Sequence, residues 1–436
     1  MMKQYISVAA LTSALVAGPA VTTANELTIA TVNNGHMITM QKLSAEYLAQ
    51  NPDTSLNWVT FNEGELRSQV TKDITERGGQ FDVMTIGMYE APIWGERGWL
   101  VPLEFDSAYQ EADLLPAIRD GLSHEGKLYA APFYGESSMI MYRSDLMAEA
   151  GVSLGDTPTW EDVTAAAAAM TDQDAGVYGI CLRGKPGWGD NMAFLTTMAN
   201  SFGAQLFDES WKPTLDTPEW IAAVNLYIDT LTKYGPPGSE GNSFNEILSL
   251  FNAGRCGMWI DATIAASFIT DPEQSEVAAD VAFAQAPSGV TSKGANWLWA
   301  WALAVPAGSN ATEEATQFIE WATSRAYIEL VGEKRGWGQV PTGTRQSTYR
   351  NAQFQNAAVF ADAELAAILS ANPTDSTLNP SPYVGVQFAS IPEFADIGGF
   401  MGQQMTAALQ GDLSVEEALA KAQSYADKVM QEAGYY

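Results

Sequence analysis

The sequence of 436 residues is poor in cysteine, histidine and basic side chains. Two cysteines, Cys181 and Cys256, are too few for a protein built on a disulfide scaffold. Two histidines, His36 and His124, exclude a metal site made of several histidines. Lys and Arg number 22 against 52 Asp and Glu, which gives a net charge of −30. Such a charge disfavours binding to nucleic acid and to anionic membranes.

Long apolar runs are also missing, since no stretch reaches the roughly 20 uninterrupted apolar residues of a membrane span. Residues 1–24 have the features of an export signal: Lys3 precedes a mostly apolar stretch, and small residues follow up to Ala24. We expect cleavage near Ala24 and a periplasmic protein; a retained signal anchor is the alternative. Outside the cytoplasm Cys181 and Cys256 are either paired or two separate buried thiols.

The common catalytic signatures are absent. The sequence has no phosphate-binding P-loop, no HExxH zinc helix and no GxSxG nucleophile elbow. We therefore expect a non-catalytic protein that uses no metal and no cofactor. A glycosidase needs only two carboxylates, so a secreted carbohydrate-active enzyme using Glu136 and Asp261 stays an alternative.

Apolar runs alternate with helical periodicity along the chain, which predicts α/β lobes with parallel sheets covered by helices. The first part is predicted to contain strands over 27–32, 56–61 and 81–87 and helices over 37–50 and 65–77. The later part is predicted to contain strands over 177–182, 257–261, 281–286 and 297–305, and helices that begin after Thr159, Thr217 and Ser414. The length fits two or three domains. No linker marks one clean division, so the chain is expected to cross between two lobes more than once.

Polar and aromatic residues follow several predicted strands. Parallel α/β sheets bind ligands at the carboxyl ends of their strands. That rule nominates Asn33, Asn34 and His36, then Gly87 to Glu90, Arg183 to Asn191, and Asp261 to Thr263. Amides, carboxylates, a guanidinium and aromatic rings suit an uncharged, hydroxyl-rich ligand. Each hydroxyl needs a hydrogen-bond partner, and the C–H faces between hydroxyls need apolar contact.

Tryptophan, with 13 copies, is the strongest aromatic signal. Trp297, Trp299 and Trp301 alternate along one predicted strand and therefore share one of its faces. They either pack against a helix or line a cleft. Trp259 alternates with Asp261 in the same way and is expected on the same side of its strand.

Four segments together resemble a known family. Leu128–Gly151 followed by Pro158–Asp162 is similar to the most recognisable stretch of the extracellular solute-binding proteins of carbohydrate ABC transporters, the maltose-binding-like family. Gly254–Ser267 resembles a second characteristic segment, and Arg335–Pro341 and Leu409–Ala422 fit a third and a fourth. Within the family, the sequence Met-Trp-Ile-Asp-Ala-Thr over 258–263 and the tryptophan-rich strand resemble the sorbitol/mannitol-binding proteins most.

This resemblance implies two lobes joined by hinge strands, which close over a ligand and dock on the permease subunits of an ABC importer at the inner membrane. We assign 25–134 and 302–343 to the N-terminal lobe, and 135–301 and 344–436 to the C-terminal lobe. The expected ligand is a polyol such as sorbitol or mannitol, or a monosaccharide, bound by a monomer. Maltose is disfavoured, because Tyr89-Glu90, and Asn34 with His36, replace charged pairs typical of maltodextrin binders.

The candidate ligand-binding residues combine strand-end positions with positions implied by the resemblance. They are Asn33, Asn34, Glu63, Tyr89, Glu90, Tyr134, Glu136, Arg183, Trp188, Asn191, Trp259, Asp261, Trp297 and Trp337. Glu136 could instead form a structural ion pair, Asp261 could cap a helix, and Arg183 could neutralise a carboxylate. A polyamine receptor is the alternative ligand class, since carboxylates and aromatic rings also bind ammonium groups, but Arg183 and Lys185 disfavour it.

Overall fold

The strands that the chain forms are given by a computed structural model, which describes residues 25–436. The predicted export signal over 1–24 lies outside the described residues. The strands are β1 (Asn25–Val32), β2 (Thr54–Phe61), β3 (Val83–Ile86), β4 (Ser123–His124), β5 (Lys127–Leu128), β6 (Ala131–Glu136), β7 (Ser138–Arg143), β8 (Met258–Ala262), β9 (Val281–Gln285) and β10 (Trp299–Ala304).

Helices surround these strands and make up most of the regular structure. They are α1 (Gly35–Gln50), α2 (Glu63–Glu76), α3 (Glu90–Glu96), α4 (Pro116–Gly121), α5 (Ser144–Ala150), α6 (Trp160–Met170), α7 (Asn191–Ser201), α8 (Pro218–Tyr234), α9 (Phe244–Asn252), α10 (Ala266–Ile269), α11 (Thr312–Thr323), α12 (Arg325–Arg335), α13 (Gln346–Arg350), α14 (Ala352–Ala357), α15 (Ala361–Ser370), α16 (Phe394–Leu409) and α17 (Val415–Glu432). Between residues 25 and 436, none of them combines the length and the apolar character that crossing a bilayer requires.

A five-stranded sheet in the order β2-β1-β3-β10-β6 forms the centre of the first lobe. β1 pairs in parallel with β2 and β3, whereas β10 runs antiparallel between β3 and β6. Leu27, Ile29 and Ala30 of β1 are fully buried, as in a strand covered on both faces. The helices α1, α2 and α11 pack against this sheet. The strands and helices predicted for the first part of the chain are confirmed, with small shifts of their bounds.

The second sheet, in the order β8-β7-β9, differs in one respect from the expected parallel arrangement. The central strand β7 runs antiparallel to both β8 and β9. The reason is its connection: β7 follows β6 directly and leads away from the first lobe, while β8 and β9 run back towards it. The carboxyl ends of β8 and β9 therefore still face the first lobe, where a ligand is expected.

The chain crosses between the sheets at Ser137, which stands between β6 and β7. Its hydroxyl donates to the carbonyl oxygen of Trp297 at 2.7 Å, and its N–H donates to the hydroxyl of Thr263 at 3.2 Å. Close by, Gly135 and Gly343 touch through their backbones, so that a Cβ on Gly135 would lie 2.2 Å from the carbonyl oxygen of Gly343. Two of the three predicted lobe boundaries, at 134/135 and 301/302, fall within strands of the first sheet.

Helix starts follow the predicted caps. The hydroxyl of Thr159 accepts from the N–H of Asp162 while the Asp162 carboxylate accepts from the N–H of Thr159, which completes a capping box. Ser414 and Glu417 form the same arrangement at α17. Because these caps satisfy N–H groups that have no partner within the helix, they fix where the helices begin.

The segment 177–182, predicted as a strand, pairs only through isolated bridges and is not a regular strand. Tyr178 and Cys181 lie parallel to the segment that leads into β8, opposite Cys256 and Trp259. A disulfide between Cys181 and Cys256 joins the two segments and settles the alternative that the sequence left open. The covalent bond adds to the few backbone hydrogen bonds that hold this pair of segments together.

Removing the disulfide is expected to lower stability. It closes a loop with a sequence separation of 75 residues, for which the chain-entropy account gives about 4 kcal/mol. The double variant Cys181→Ala/Cys256→Ala should therefore melt several degrees below the oxidised protein in a thermal scan followed by circular dichroism. Adding reductant should leave the melting temperature of the double variant unchanged. Equal melting temperatures for oxidised protein and variant would contradict this prediction.

Candidate functional site

A cavity lies between the two sheets, enclosing about 470 Å³ of space that is partly open to solvent. The first lobe contributes side chains from the end of β1, from α2, β6 and β10, and the second lobe contributes the loop before α7 and the start of α9. The lining residues are Asn34, Glu63, Arg67, Tyr134, Glu136, Arg183, Trp188, Gly189, Ala193, Phe244, Ile264, Trp297, Trp299, Trp301 and Gln387.

Strand pairing places one wall of this cavity. In the antiparallel pair β6–β10, Trp299 stands opposite Glu136 and Trp301 stands opposite Tyr134. Directly opposite residues point to the same face of a sheet, so three aromatic rings and the carboxyl group converge. Trp297 precedes β10 and lines the cavity as well, which confirms that the three alternating tryptophans share one side. Within residues 25–436, the buried indole N–H groups of Trp297 and Trp299 have no acceptor.

The Arg183–Asp261 ion pair forms the floor of the cavity on the second lobe. Arg183 Nε and Nη2 donate to Asp261 Oδ2 and Oδ1 at 2.8 and 2.6 Å, in a bidentate arrangement. Trp259 Nε1 also donates to Asp261 Oδ2 at 3.0 Å. Burial alone would lower the pKa of Arg183, but the charge and hydrogen bonds of Asp261 raise it above its ordinary value. Of the three predicted residues, Arg183 lines the cavity, whereas Asp261 and Trp259 support it from behind.

Glu136 is a carboxyl group that lines the cavity and has no partner among the described residues. Its side chain lines the cavity although the residue is only 7% exposed, and within the described chain 25–436 no hydrogen-bond donor reaches it. Burial raises the pKa of Glu136 to about 8, against the opposing charge of Arg183. The carboxyl group therefore holds a proton at neutral pH, so that it can both donate and accept a hydrogen bond. The alternative of a structural ion pair is not realised in this structure.

Arg67 on α2 is a cavity residue that the sequence analysis did not single out. Its guanidinium lies 4.1 Å from the ring centre of Trp188 and 4.8 Å from those of Trp299 and Trp301. Its Nη1 donates to a carboxylate oxygen of Glu90 at 2.6 Å, and its Nη2 donates to Glu63 at 3.0 Å. Trp188 belongs to the second lobe, so this cation joins the two lobes through an aromatic contact. In the sequence, the i,i+4 spacing of Arg67 from the candidate Glu63 could have indicated that Arg67 lies beside it on one helix face.

Two candidates from the end of β1 take different places. Asn34 lines the cavity and its Nδ2 donates to the hydroxyl of Tyr134, itself a cavity residue, at 2.7 Å. Asn33 is exposed, and its carbonyl oxygen accepts from Asn245 Nδ2 on the second lobe at 3.0 Å. Asn33 therefore lies at the rim, where it bridges the lobes.

Four further candidates do not line the cavity. The hydroxyl of Tyr89 donates to the carbonyl oxygen of Ile391 at 3.0 Å, and the carboxylate of Glu90 holds Arg67. Asn191 Nδ2 donates to the carbonyl oxygen of Gly402 at 3.0 Å. Trp337 lies in a separate surface pocket beside α12. These positions support neighbouring structure, and contact of the four residues with a ligand stays a prediction.

His36, which the strand-end rule nominated, is buried. Its Nε2 lies 3.2 Å from the hydroxyl oxygen of Ser267, and its ring packs on Phe268 with the centres 4.8 Å apart. Burial lowers the pKa of His36 to about 3, so the imidazole is neutral. It takes part in the contact between the lobes rather than in the cavity lining.

Other cavity residues, such as Phe244, Ile264 and Gln387, were also missed. Gln387 comes from a loop far along the chain and hydrogen-bonds both backbone groups of Leu298, next to the tryptophan wall. Phe244 begins α9 and packs on Trp259 with ring centres 5.4 Å apart. Phe244 and Gln387 follow no predicted strand and belong to no local motif, so only the tertiary structure brings them to the cavity. Ile264 lies in the segment Gly254–Ser267, next to the residues that the strand-end rule nominated.

Comparison with known proteins agrees with this architecture. Residues 34–329, more than half of the chain, match the family of bacterial extracellular solute-binding proteins. The chain belongs to this family. It is therefore a binding protein rather than an enzyme, and the alternative of a secreted carbohydrate-active enzyme is not supported.

Two relatives are similar along nearly the whole chain. The mannitol-binding protein of Pseudomonas aeruginosa is 50% identical over 413 residues, which cover 94% of each chain. The crystal structure of an ABC transporter solute-binding protein from Agrobacterium vitis, with bound D-mannitol, is 55% identical and has a TM-score of 0.93, covering 94% of this chain and 99% of that one. An Agrobacterium radiobacter solute-binding protein in complex with ribitol, 23% identical with a TM-score of 0.81 and a coverage of 93% and 98%, shares the fold.

Breaking the Arg183–Asp261 pair on one side should be strongly destabilising. In Asp261→Asn a buried guanidinium loses its counter-charge, which costs about 3–5 kcal/mol. Urea unfolding should show this loss, and the apolar double variant Arg183→Met/Asp261→Leu should recover part of it. In the exposed pair Lys233–Asp229, the matched change Asp229→Asn should stay within about 0.5 kcal/mol. Similar losses for Asp261→Asn and Asp229→Asn would contradict the prediction.

Proposed function

We propose that this protein captures an alditol, with D-mannitol and its isomer sorbitol as the first candidates, and delivers it to the permease of an ABC importer. Two relatives that are at least half identical to this chain support the ligand class, since one is a mannitol-binding protein and the other was solved with D-mannitol. The observation on this chain that carries the proposal is the partnerless carboxyl group of Glu136, which faces the cavity beside the free indole N–H groups of Trp297 and Trp299.

The cavity offers what an alditol needs. Glu136 can accept or donate, and Trp297 and Trp299 can donate to hydroxyl oxygens. The rings supply apolar contact for the carbon chain, with few rotatable bonds to immobilise. A micromolar complex requires about 8 kcal/mol, which is under about 1 kcal/mol for each of the roughly 12 heavy atoms of a hexitol, within the known limit of ligand efficiency.

Closure of the lobes accounts for capture. The first lobe contributes Asn34, Glu63, Tyr134 and Glu136 as proposed ligand contacts, and the second contributes Arg183, Trp188 and Trp297. A ligand that touches both sets binds the closed arrangement better than the open one and shifts the population towards it. The contact of Arg67 with Trp188 belongs to the closed arrangement as well.

Location and partners follow the same proposal. The family is extracellular, and we place this protein in the periplasm as a monomer, after removal of residues 1–24 as an export signal. The permease subunits at the inner membrane are its proposed partners. The lobe assignment of 25–134 with 302–343, and of 135–301 with 344–436, is kept as part of the proposal with one adjustment. The strands β6 and β10 cross its boundaries, so that Glu136, Trp299 and Trp301 are counted with the first lobe, whose sheet contains both strands.

Titration calorimetry with D-mannitol and sorbitol tests the proposed ligand. We expect saturable binding of at least one of them at micromolar or better affinity, and a change in tryptophan fluorescence on closure. Trp299→Ala should weaken binding about tenfold or more, because it removes both a ring contact and an N–H donor from the cavity wall.

Trp99→Ala is the matched control, since Trp99 is not a site candidate and lines a different pocket. The affinity of this variant should stay within about twofold of the unaltered protein, with folding of both variants checked by circular dichroism. Absence of binding across alditols and monosaccharides would contradict the proposed function. Equal losses in Trp299→Ala and Trp99→Ala would contradict the location of the site.

A further inference from the structure

One ionisable group of the cavity has neither an ion pair nor a hydrogen bond among residues 25–436. The guanidinium of Arg183 is paired with Asp261, and that of Arg67 is paired with Glu63 and Glu90. Among the ionisable side chains that line the cavity, this leaves Glu136 without a direct partner, although the charge of Arg183 acts on it from a distance. A buried carboxylate without a partner is costly, and a ligand that brings its own positive charge would remove that cost.

The aromatic wall beside Glu136 already holds one cation. The guanidinium of Arg67 lies within 4.8 Å of the ring centres of Trp188, Trp299 and Trp301. Trp299, one of these rings, stands directly opposite Glu136 in the β6–β10 pair. Indole rings attract cations through their electron-rich faces, so the wall beside Glu136 offers a positive charge an attraction that opposes the repulsion by Arg67 and Arg183.

The same wall also needs hydrogen-bond acceptors. The indole N–H groups of Trp297 and Trp299 are buried and have no acceptor in the described chain. A protonated polyamine has donors only and would leave both groups unsatisfied. A ligand that carries hydroxyl oxygens as well as an ammonium group serves both the indole N–H groups and Glu136.

We propose that the cavity also accepts amino-alditols, in which an ammonium group replaces one hydroxyl of an alditol, with Glu136 as the counter-ion. This inference rests on the proposed alditol function and adds a charged ligand class to it. The hydroxyl groups take the contacts of an uncharged alditol, and the ammonium group donates charge-assisted hydrogen bonds to Glu136.

The affinity for an amino-alditol should depend on pH. The titratable groups near Glu136 are Arg183, Asp261, Glu63, Glu364 and Tyr134. Burial raises the pKa of Glu136 to about 8, because the positive charge of Arg183 only partly compensates for the loss of solvation. Pairing with an ammonium group requires the ionised carboxylate. Below that pKa the affinity should therefore rise with pH, approaching tenfold per unit. The ammonium group stays charged over this range, since primary amines have a pKa near ~10.4.

Calorimetry at pH 6 and pH 8 tests the inference on the full mature protein. The ligands are D-mannitol, 1-amino-1-deoxy-D-mannitol, 1-amino-1-deoxy-D-glucitol and putrescine. We expect at least one amino-alditol to bind more tightly at pH 8 than at pH 6 by about tenfold or more, mannitol to change much less, and putrescine not to bind.

Glu136→Gln should lower the affinity for the amino-alditol at pH 8 about fivefold more than it lowers that for mannitol, and should abolish its pH dependence. Burial also raises the pKa of Asp190 to about 6 and of Glu364 to about 7, so only a pH effect that this variant removes belongs to Glu136. The exposed Glu149→Gln serves as the control for loss of one negative charge. As a measurement without mutation, binding of the amino-alditol at pH 7 should release a proton to the buffer, whereas mannitol should release none.

Binding of mannitol without binding of any amino-alditol at pH 8 would overturn the inference and leave the proposed function standing. The inference would also be overturned if the affinity for an amino-alditol were the same at pH 6 and pH 8 and were unchanged by Glu136→Gln. Failure of mannitol and of every other alditol to bind would instead overturn the proposed function, and this inference with it.

Discussion

The antiparallel pairing of β6 with β10 is the constraint on which the cavity depends. Its register sets Trp299 opposite Glu136 and Trp301 opposite Tyr134, so a carboxyl group and three aromatic rings meet on one face. The same pair stands at the junction of the lobes, because β6 continues into β7 through Ser137. A shift of one residue would turn these side chains to the other face of the sheet. Architecture and recognition therefore rest on the same backbone hydrogen bonds.

Because the ionisable groups of the cavity are buried, the partners of each group determine whether it can bind a ligand. The carboxylate of Asp261 is engaged by Arg183, Trp259 and its neighbouring backbone N–H, and that of Glu90 by Arg67 and the N–H of Gly87. Glu63 gives one of its oxygens to Arg67. These groups shape the walls and hold the cations in place. Glu136 shares the same dry environment without a protein partner, so its surroundings leave its hydrogen bonds to a ligand. Selectivity among ligands would then depend on the hydrogen bonds and the charge that each ligand presents to Glu136.

Local patterns in the sequence were sufficient for much of the fold. Apolar runs located the strands of the first sheet, and alternation placed Trp297, Trp299 and Trp301 on one side, because both signals come from neighbouring residues. The segment 177–182 was wrongly predicted as a strand, since its apolar run reflects burial against β8 rather than a regular ladder. Gln387 escaped notice because tertiary packing alone brings it to the cavity, whereas Arg67 was missed although its i,i+4 spacing from the candidate Glu63 could have indicated it. The strand-end rule could not tell a supporting Asp261 from a lining Arg183.

The most direct test of the central claim is a crystal structure of the mature protein grown with D-mannitol. The account predicts one alditol molecule between the lobes, with hydrogen bonds to Glu136 and to an indole N–H of Trp297 or Trp299, and with contacts to Arg183 or Trp188 on the opposite lobe. A ligand bound to one lobe alone, or bound elsewhere with Glu136 still unpartnered, would contradict it.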